Sequence, residues 1–123
     1  MKKWIAFLAL VFVAAVGLTA CSDPVSTPVK VNAGTVVIDV RTASEYAQGH
    51  LDGGINIDVE APDFKSRITQ LPTDGEYIVY CRSGNRSAQA AAQMGTLGFS
   101  NVTDAGGVSE ASASTGLAIV TSR

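Results

Sequence analysis

The segment Cys81-Arg82-Ser83-Gly84-Asn85-Arg86-Ser87 gathers a thiol, two guanidinium groups, two hydroxyls and two residues that tolerate positive φ. It follows the β-forming run Tyr77-Ile78-Val79-Tyr80 and precedes an alanine-rich stretch, which places Cys81 between a strand and a helix. A loop bent at Gly84 and Asn85 can turn successive N–H groups inward as an anion-binding nest. A helix starting at Ser87 adds its positive end, and Arg82 and Arg86 add permanent charge. All of these favour thiolate over thiol, so the Cys81 pKa is expected to fall below its free value of about 8.5. The thiolate is the nucleophile. A plain strand–loop–helix corner with an incidental cysteine is the bland alternative, and it leaves the clustering of these residue types unexplained.

The elements that hold this loop are legible from periodicity. Val36-Val37-Ile38-Asp39-Val40 is an apolar run bounded by Gly34, which fits a buried parallel strand. Thr42-Ala43-Ser44-Glu45 has the spacing of a capping box, so a short helix should start at Thr42 and stop at Gly49. Asp52-Gly53-Gly54 is a bend, and Ile55-Asn56-Ile57 a short strand. Phe64, Ile68 and Leu71 recur at helical spacing up to Pro72, which closes that helix. Tyr77–Tyr80 is the third strand, Ser87–Leu97 a helix ending before Gly98, and Phe99–Thr103 leads into a fourth strand, with a turn over Asp104-Ala105-Gly106-Gly107. Val29–Val31 reads as a short edge strand. From Val108 the signal fades, and Ser109–Thr115 offers little to pack. Alternating strands and helices imply an α/β layered fold with a mainly parallel central sheet flanked by helices. In such sheets ligands bind beyond the carboxyl ends of the strands, where Cys81 falls.

The first 20 of 123 residues read as a leader rather than as fold. Lys2 and Lys3 precede a 15-residue apolar run from Trp4 to Leu18, shorter than a spanning helix. Leu18-Thr19-Ala20-Cys21 resembles a bacterial lipobox, which implies cleavage before Cys21 and acylation of its thiol and amine; two or more chains anchor a protein stably. Ser22 after the cysteine resembles outer-membrane sorting, so an exported, lipid-anchored protein facing the periplasm is expected. The organisation expected is a leader over 1–20, a tether over 21–33 and one domain over 34–123. The leader takes two of the nine basic residues, leaving seven against eleven acidic ones, which excludes a basic nucleic-acid footprint. With Cys21 acylated, Cys81 is the remaining thiol and has no internal disulfide partner. One cysteine and one histidine cannot supply a structural metal site, and no cofactor is expected.

The motifs around the loop resemble the rhodanese-like family. Tyr80–Ser87 looks like its active-site loop. Ile38-Asp39-Val40-Arg41, Glu45-Tyr46 and Gly49-His50-Leu51-Asp52-Gly53-Gly54 are similar to its first strand and histidine–glycine turn, and Leu97-Gly98-Phe99 and Gly106-Gly107 also match. The resemblance spans roughly residues 34–108. It implies a three-layer rhodanese-like fold and a sulfurtransferase cycle. Cys81 would take the outer sulfur of a donor such as thiosulfate, release sulfite, hold a persulfide and pass the sulfur to cyanide or a thiol. Arg82, Ser83, Gly84, Asn85, Arg86 and Ser87 would bind the anionic donor and the persulfide. Either arginine could hold the sulfonate oxygens, and one could instead pair with Asp39. Asp39 and Arg41 are expected in support near the loop; a surface charge pair is the alternative. His50 is read as structural, since a preformed thiolate needs no histidine base.

Three departures stand out: no helix precedes the first strand, Val108 stands where the family commonly has tryptophan, and the tail Ser109–Arg123 is atypical and weakly hydrophobic. Two rival functions follow from the same residues. A cysteine phosphatase would use a similar loop, but that pattern has five residues between cysteine and arginine where this chain has four, and no acid is at hand for the leaving group. A persulfide carrier or partner-docking module would keep the thiol without turnover. The protein partner and the physiological donor and acceptor are not encoded in any of these features.

Overall fold

The structure, a computed structural model, describes residues 27–121. The leader, Cys21 and the first part of the tether lie outside the described residues.

Ten elements follow in order: β1 (Val36–Asp39), α1 (Ala43–Gln48), β2 (His50–Leu51), β3 (Ile55–Asn56), α2 (Phe64–Ile68), β4 (Tyr77–Cys81), α3 (Asn85–Thr96), β5 (Val102–Gly107), α4 (Val108–Thr115) and β6 (Ile119–Val120). Four strands form a parallel sheet in the order β3-β1-β4-β5. β2 and β6 form a separate antiparallel pair. β4 lies between β1 and β5 and is buried at every residue, which explains its unbroken run of β-forming apolar side chains.

Alternation along the strands sorts the core into two layers. Ile38, Val40, Tyr77, Val79 and Cys81 face Phe64 and Ile68 of α2 and Ala90 and Met94 of α3. Val37, Ile78 and Tyr80 face the other way, toward Ala105 and Ala111. Helices on both faces of a parallel sheet make a three-layer α/β architecture, in agreement with the layered α/β class implied by the periodicity and the three layers implied by the resemblance. Burying each large apolar side chain contributes roughly 1.5–3 kcal/mol, so β1 and β4 are the main anchors.

The capping box forms as expected: Thr42 Oγ1 accepts from the Glu45 amide, and the Glu45 side chain accepts from the Thr42 amide. Phe64 and Ile68 are both buried on α2, which stops at Ile68, short of Pro72. Other boundaries move. α3 starts at Asn85, two residues before Ser87, because Gly84 takes φ 99° and acts as its N-cap. The expected turn at Asp104–Gly107 is instead the end of β5, which reaches Gly107 with an irregular register opposite Val79–Cys81.

The termini differ most from expectation. Val29–Val31 is not a strand. It is irregular chain whose Val29 amide donates to the Ser114 carbonyl at 2.8 Å, while Val29 and Val31 pack beside Val37 and Ile78. Of the tether expected over 21–33, the described part therefore lies against the domain. Ser109–Thr115, expected to have little to pack, belongs to α4. Its small residues are the reason it packs: fully buried Ala111 lets the helix come close to the sheet, an effect invisible to a hydrophobicity count. The following residues form β6, which seals Leu51.

Candidate active site

β4 delivers Cys81 to the carboxyl end of the sheet, where it is 1% exposed and free. Its sulfur does not lie among apolar groups alone. The chain turns at Gly84, whose left-handed backbone aims its amide at Sγ, 2.9 Å away. Among the described residues no non-glycine has positive φ, so Gly84 makes the bend and Asn85 does not share it. Ser87, one turn into α3, is fully buried with its hydroxyl 3.5 Å from Sγ. That hydroxyl also lies 3.1 Å from the Gly84 carbonyl and 3.4 Å from the Gly106 carbonyl. Its single proton can go to a carbonyl when Cys81 is a thiol and to the sulfur when Cys81 is a thiolate.

Burial pushes the Cys81 pKa up. The Ser87 hydroxyl and the amides of Ser87, Gly84 and Ser83 outweigh that, and the net shift is downward. The direction agrees with the sequence reading, but the hydrogen bonds achieve it. The two loop arginines have separate fates. Arg86 turns away to grip Glu45 of α1 through two bonds of 2.7 and 2.9 Å. Arg82 is exposed and makes no side-chain hydrogen bond or ion pair among the described residues. Ser83 and Asn85 are exposed beside it.

Asp39 and Arg41 are a buried pair, not a surface one. Asp39 is fully buried and Arg41 is 6% exposed. Arg41 donates through Nε and Nη2 to both carboxylate oxygens at 2.6–3.1 Å, and Nη2 donates to the Gly49 carbonyl at 2.6 Å. The guanidinium lies 5.8 Å from the Tyr80 ring centroid. Asp39 thus takes neither loop arginine, and the pair braces the end of β1 against the turn after α1. His50 is held away from chemistry: its Nδ1 sits 2.9 Å from the Tyr46 carbonyl and its ring stacks on Tyr46 at 3.7 Å.

Three residues contribute in ways the sequence does not indicate. Glu45 is legible as a capping residue and part of the family-like motif, and nothing local signals a partner 41 positions away. Tyr80 sends its hydroxyl to accept from the Leu51 amide at 2.9 Å, tying β4 to β2. Gly107 lies opposite Cys81, and a Cβ there would come within 2.6 Å of the Arg82 carbonyl oxygen. The loop can close over β5 only because that side chain is missing; the paired glycines were the visible signal.

Two concavities border the loop. One, of about 330 Å³, is walled by Arg41, Glu45, Gln48, Gly49, Arg82, Val108 and Ile119. The other, of about 940 Å³, runs along β5 and includes Glu76, Asp104 and Glu110, whose charge disfavours an anion. Among the described residues no three histidine, cysteine or acidic side chains gather as a metal site.

The family model of the rhodanese-like domain matches residues 28–113. The chain belongs to the rhodanese-like family. Among its relatives, thiosulfate sulfurtransferase PspE of Escherichia coli is 37% identical over 75 residues, covering 59% of this chain and 70% of the relative. A sulfurtransferase of Allochromatium vinosum is 34% identical over 85 residues, covering 69% and 78%. Solved rhodanese structures share the fold. A rhodanese with anions from E. coli superposes with a TM-score of 0.59 at 27% identity, over 72% of this chain and 99% of that one. A rhodanese-related protein from Thermoplasma volcanium gives 0.61 at 31% identity, over 72% and 86%.

Proposed function

We propose that this rhodanese-like chain is a sulfurtransferase that moves sulfane sulfur from a thiosulfate-like donor to a thiophilic acceptor through a persulfide on Cys81. The observation that carries the reading is the Gly84 amide 2.9 Å from a buried Cys81 sulfur whose pKa is lowered. The names of the two relatives support the reaction class.

In the first half-reaction the Cys81 thiolate attacks the outer sulfur of thiosulfate. A new S–S bond forms, the bond to the sulfonate sulfur breaks, and sulfite leaves with the electron pair. The enzyme is left with a persulfide anion. The Gly84 amide and its neighbours are already oriented, so they stabilise that anion without reorganising. Arg82, with no partner among the described residues, holds the sulfonate oxygens; Arg86, committed to Glu45, orients the start of α3. Ser83 and Asn85 line the entrance, the Ser87 hydroxyl donates a hydrogen bond to the anionic sulfur, and Asp39 and Arg41 support the loop from β1. The acceptor then removes the outer sulfur and regenerates the thiolate.

The test is intact mass after thiosulfate and after cyanide. Cys81 should gain one sulfur and lose it again, with thiocyanate produced over many cycles, and Cys81→Ser should do neither. Loading without repeated discharge would assign a carrier. Phosphate-ester turnover without a sulfur adduct would overturn the reading.

We further propose that Cys21 is acylated and holds the domain at the cell envelope, on the periplasmic face of the outer membrane. The support is the lipobox-like Leu18–Cys21. The full chain should enter the detergent phase on partition, and Cys21→Ala should return it to the aqueous phase.

A further inference from the structure

Arg41, Arg82 and Arg86 stand around the loop, and of these only Arg82 keeps its charge uncompensated among the described residues. The other two are paired in different ways. The Arg41–Asp39 pair is buried and braces the end of β1. Glu45 and Arg86 are each about one-fifth exposed, so their pair meets solvent. The two terminal nitrogens of Arg86 lie 2.7 and 2.9 Å from the two Glu45 oxygens, a fork-to-fork geometry that occupies the whole guanidinium edge. Glu45 walls the same concavity as Arg82, so Arg86 ends beside the space that Arg82 faces. Arg86 also directly precedes Ser87, whose hydroxyl is 3.5 Å from the Cys81 sulfur. The Arg86 pKa is raised chiefly by its hydrogen bond to Glu45, with a smaller contribution from the charge on Cys81, so the two loop residues sense each other. A guanidinium so placed is suited to grip an anion bidentately. What withholds it is a carboxylate on another helix.

We propose that Glu45 is a positioning residue for turnover: by holding Arg86 away from the mouth of the loop it leaves Arg82 alone to receive anions, and so lets sulfite leave. This rests on the persulfide reading above. Donor and product share the same sulfonate oxygens, so a group that grips one end of thiosulfate also grips sulfite. Binding both more tightly lowers KM without raising kcat, and a slow product limits the cycle. One free guanidinium collects the donor; a second would retain the product. Glu45→Gln isolates this effect. The amide keeps an oxygen for the Thr42 amide of the capping box and loses the charge that holds Arg86.

The experiment follows protection of Cys81 from iodoacetamide by sulfate, an unreactive stand-in for sulfite, in the full chain and its variants. The sulfate concentration for half-protection should be lower in Glu45→Gln than in wild type by about fivefold, the scale of one exposed ion pair. That gain should fade at high salt. In turnover with thiosulfate and cyanide, KM for thiosulfate should fall, kcat should not rise, and inhibition by added sulfite should strengthen by a similar factor. A merely structural role gives the reverse, weaker protection and a higher KM. Combining Glu45→Gln with Arg86→Gln should abolish the gain. Tighter protection that survives in the double variant would mean that Glu45 acts by direct repulsion, and the positioning role is overturned. Unchanged or weaker protection in Glu45→Gln overturns it as well, while leaving the persulfide reading intact. Failure of the wild-type protein to load sulfur instead overturns the parent reading. Should Glu45→Gln not fold, Glu45→Asp, which draws the charge back from Arg86 by one methylene, is read in the same way, with tighter protection than wild type expected.

Discussion

Cys81 and Ser87 form the smallest unit in which structure sets reactivity. The sulfur is buried, and burial opposes ionisation. Ionisation is nonetheless favoured, because a hydroxyl and three amides face the sulfur. Removing the hydroxyl leaves desolvation less opposed. Ser87→Ala should therefore move the pH midpoint for Cys81 alkylation upward: reactivity follows the thiolate, and a higher pKa means less thiolate at any given pH below it. An unmoved midpoint in a pH series with iodoacetamide would show that the amides alone hold the charge. Asp39 illustrates the opposite case, a charge with a structural duty. Asp39→Ala leaves the buried Arg41 guanidinium with the Gly49 carbonyl as its remaining acceptor. The loss should be about 3–5 kcal/mol in urea unfolding, because an uncompensated buried charge remains.

Between elements, the ties to the loop are few and specific. Arg86 at the start of α3 reaches across to Glu45 of α1, and Arg41 after β1 reaches the turn after α1. The bond to Arg86 chiefly holds the Glu45 pKa down, to about 2 from 4.5. A carboxylate with a depressed folded-state pKa contributes stability above its unfolded value, and that contribution disappears as pH falls toward the folded value. The Glu45–Arg86 tie should thus be intact at neutral pH and fade between about pH 4.5 and 2. Both side chains are about one-fifth exposed, so screening limits the contribution to about 0.5–1 kcal/mol. Glu45→Gln should be less stable than wild type by that amount at pH 7, with the difference shrinking through the acid window in parallel urea titrations. A difference that persists at pH 2 would mean that packing of α1, not charge, is responsible.

At the scale of the molecule, the C-terminal segment closes the second core layer. α4 covers Ile78 and Tyr80 through Ala111, and β6 pairs with β2 over Leu51. Ending the chain after Gly116 removes Leu117, Ile119 and Val120, each only partly buried, and uncovers Leu51. The expected cost is about 2–3 kcal/mol, read as a lower urea midpoint. An unchanged midpoint would show that the β2–β6 pair is dispensable to the fold.

Much of this architecture is local in origin. The runs at Val36–Val40 and Tyr77–Tyr80, the Thr42–Glu45 capping box, the Phe64–Ile68 spacing and the loop after Cys81 all depend on residues within one turn or one strand of each other. Their side chains and backbone preferences determine strand, helix and bend before any distant contact forms, and the sheet class follows from their order. What tertiary structure decided depends on partners far away in sequence. Arg86 went to Glu45 rather than to the donor side, Asp39 went to Arg41 rather than to a loop arginine, and Gly107 proved to be room for the Arg82 carbonyl. The packing of α4 was not legible because alanine and serine carry little hydrophobic signal, although their small size is what allows close packing. The sequence by itself determined that Cys81 sits at the end of a buried strand, in a loop that carries Gly84 and two arginines. Only the folded chain decided which groups lower its pKa and which arginine is left to meet a ligand, because hydrogen-bond geometry and charge pairing are properties of assembled surfaces.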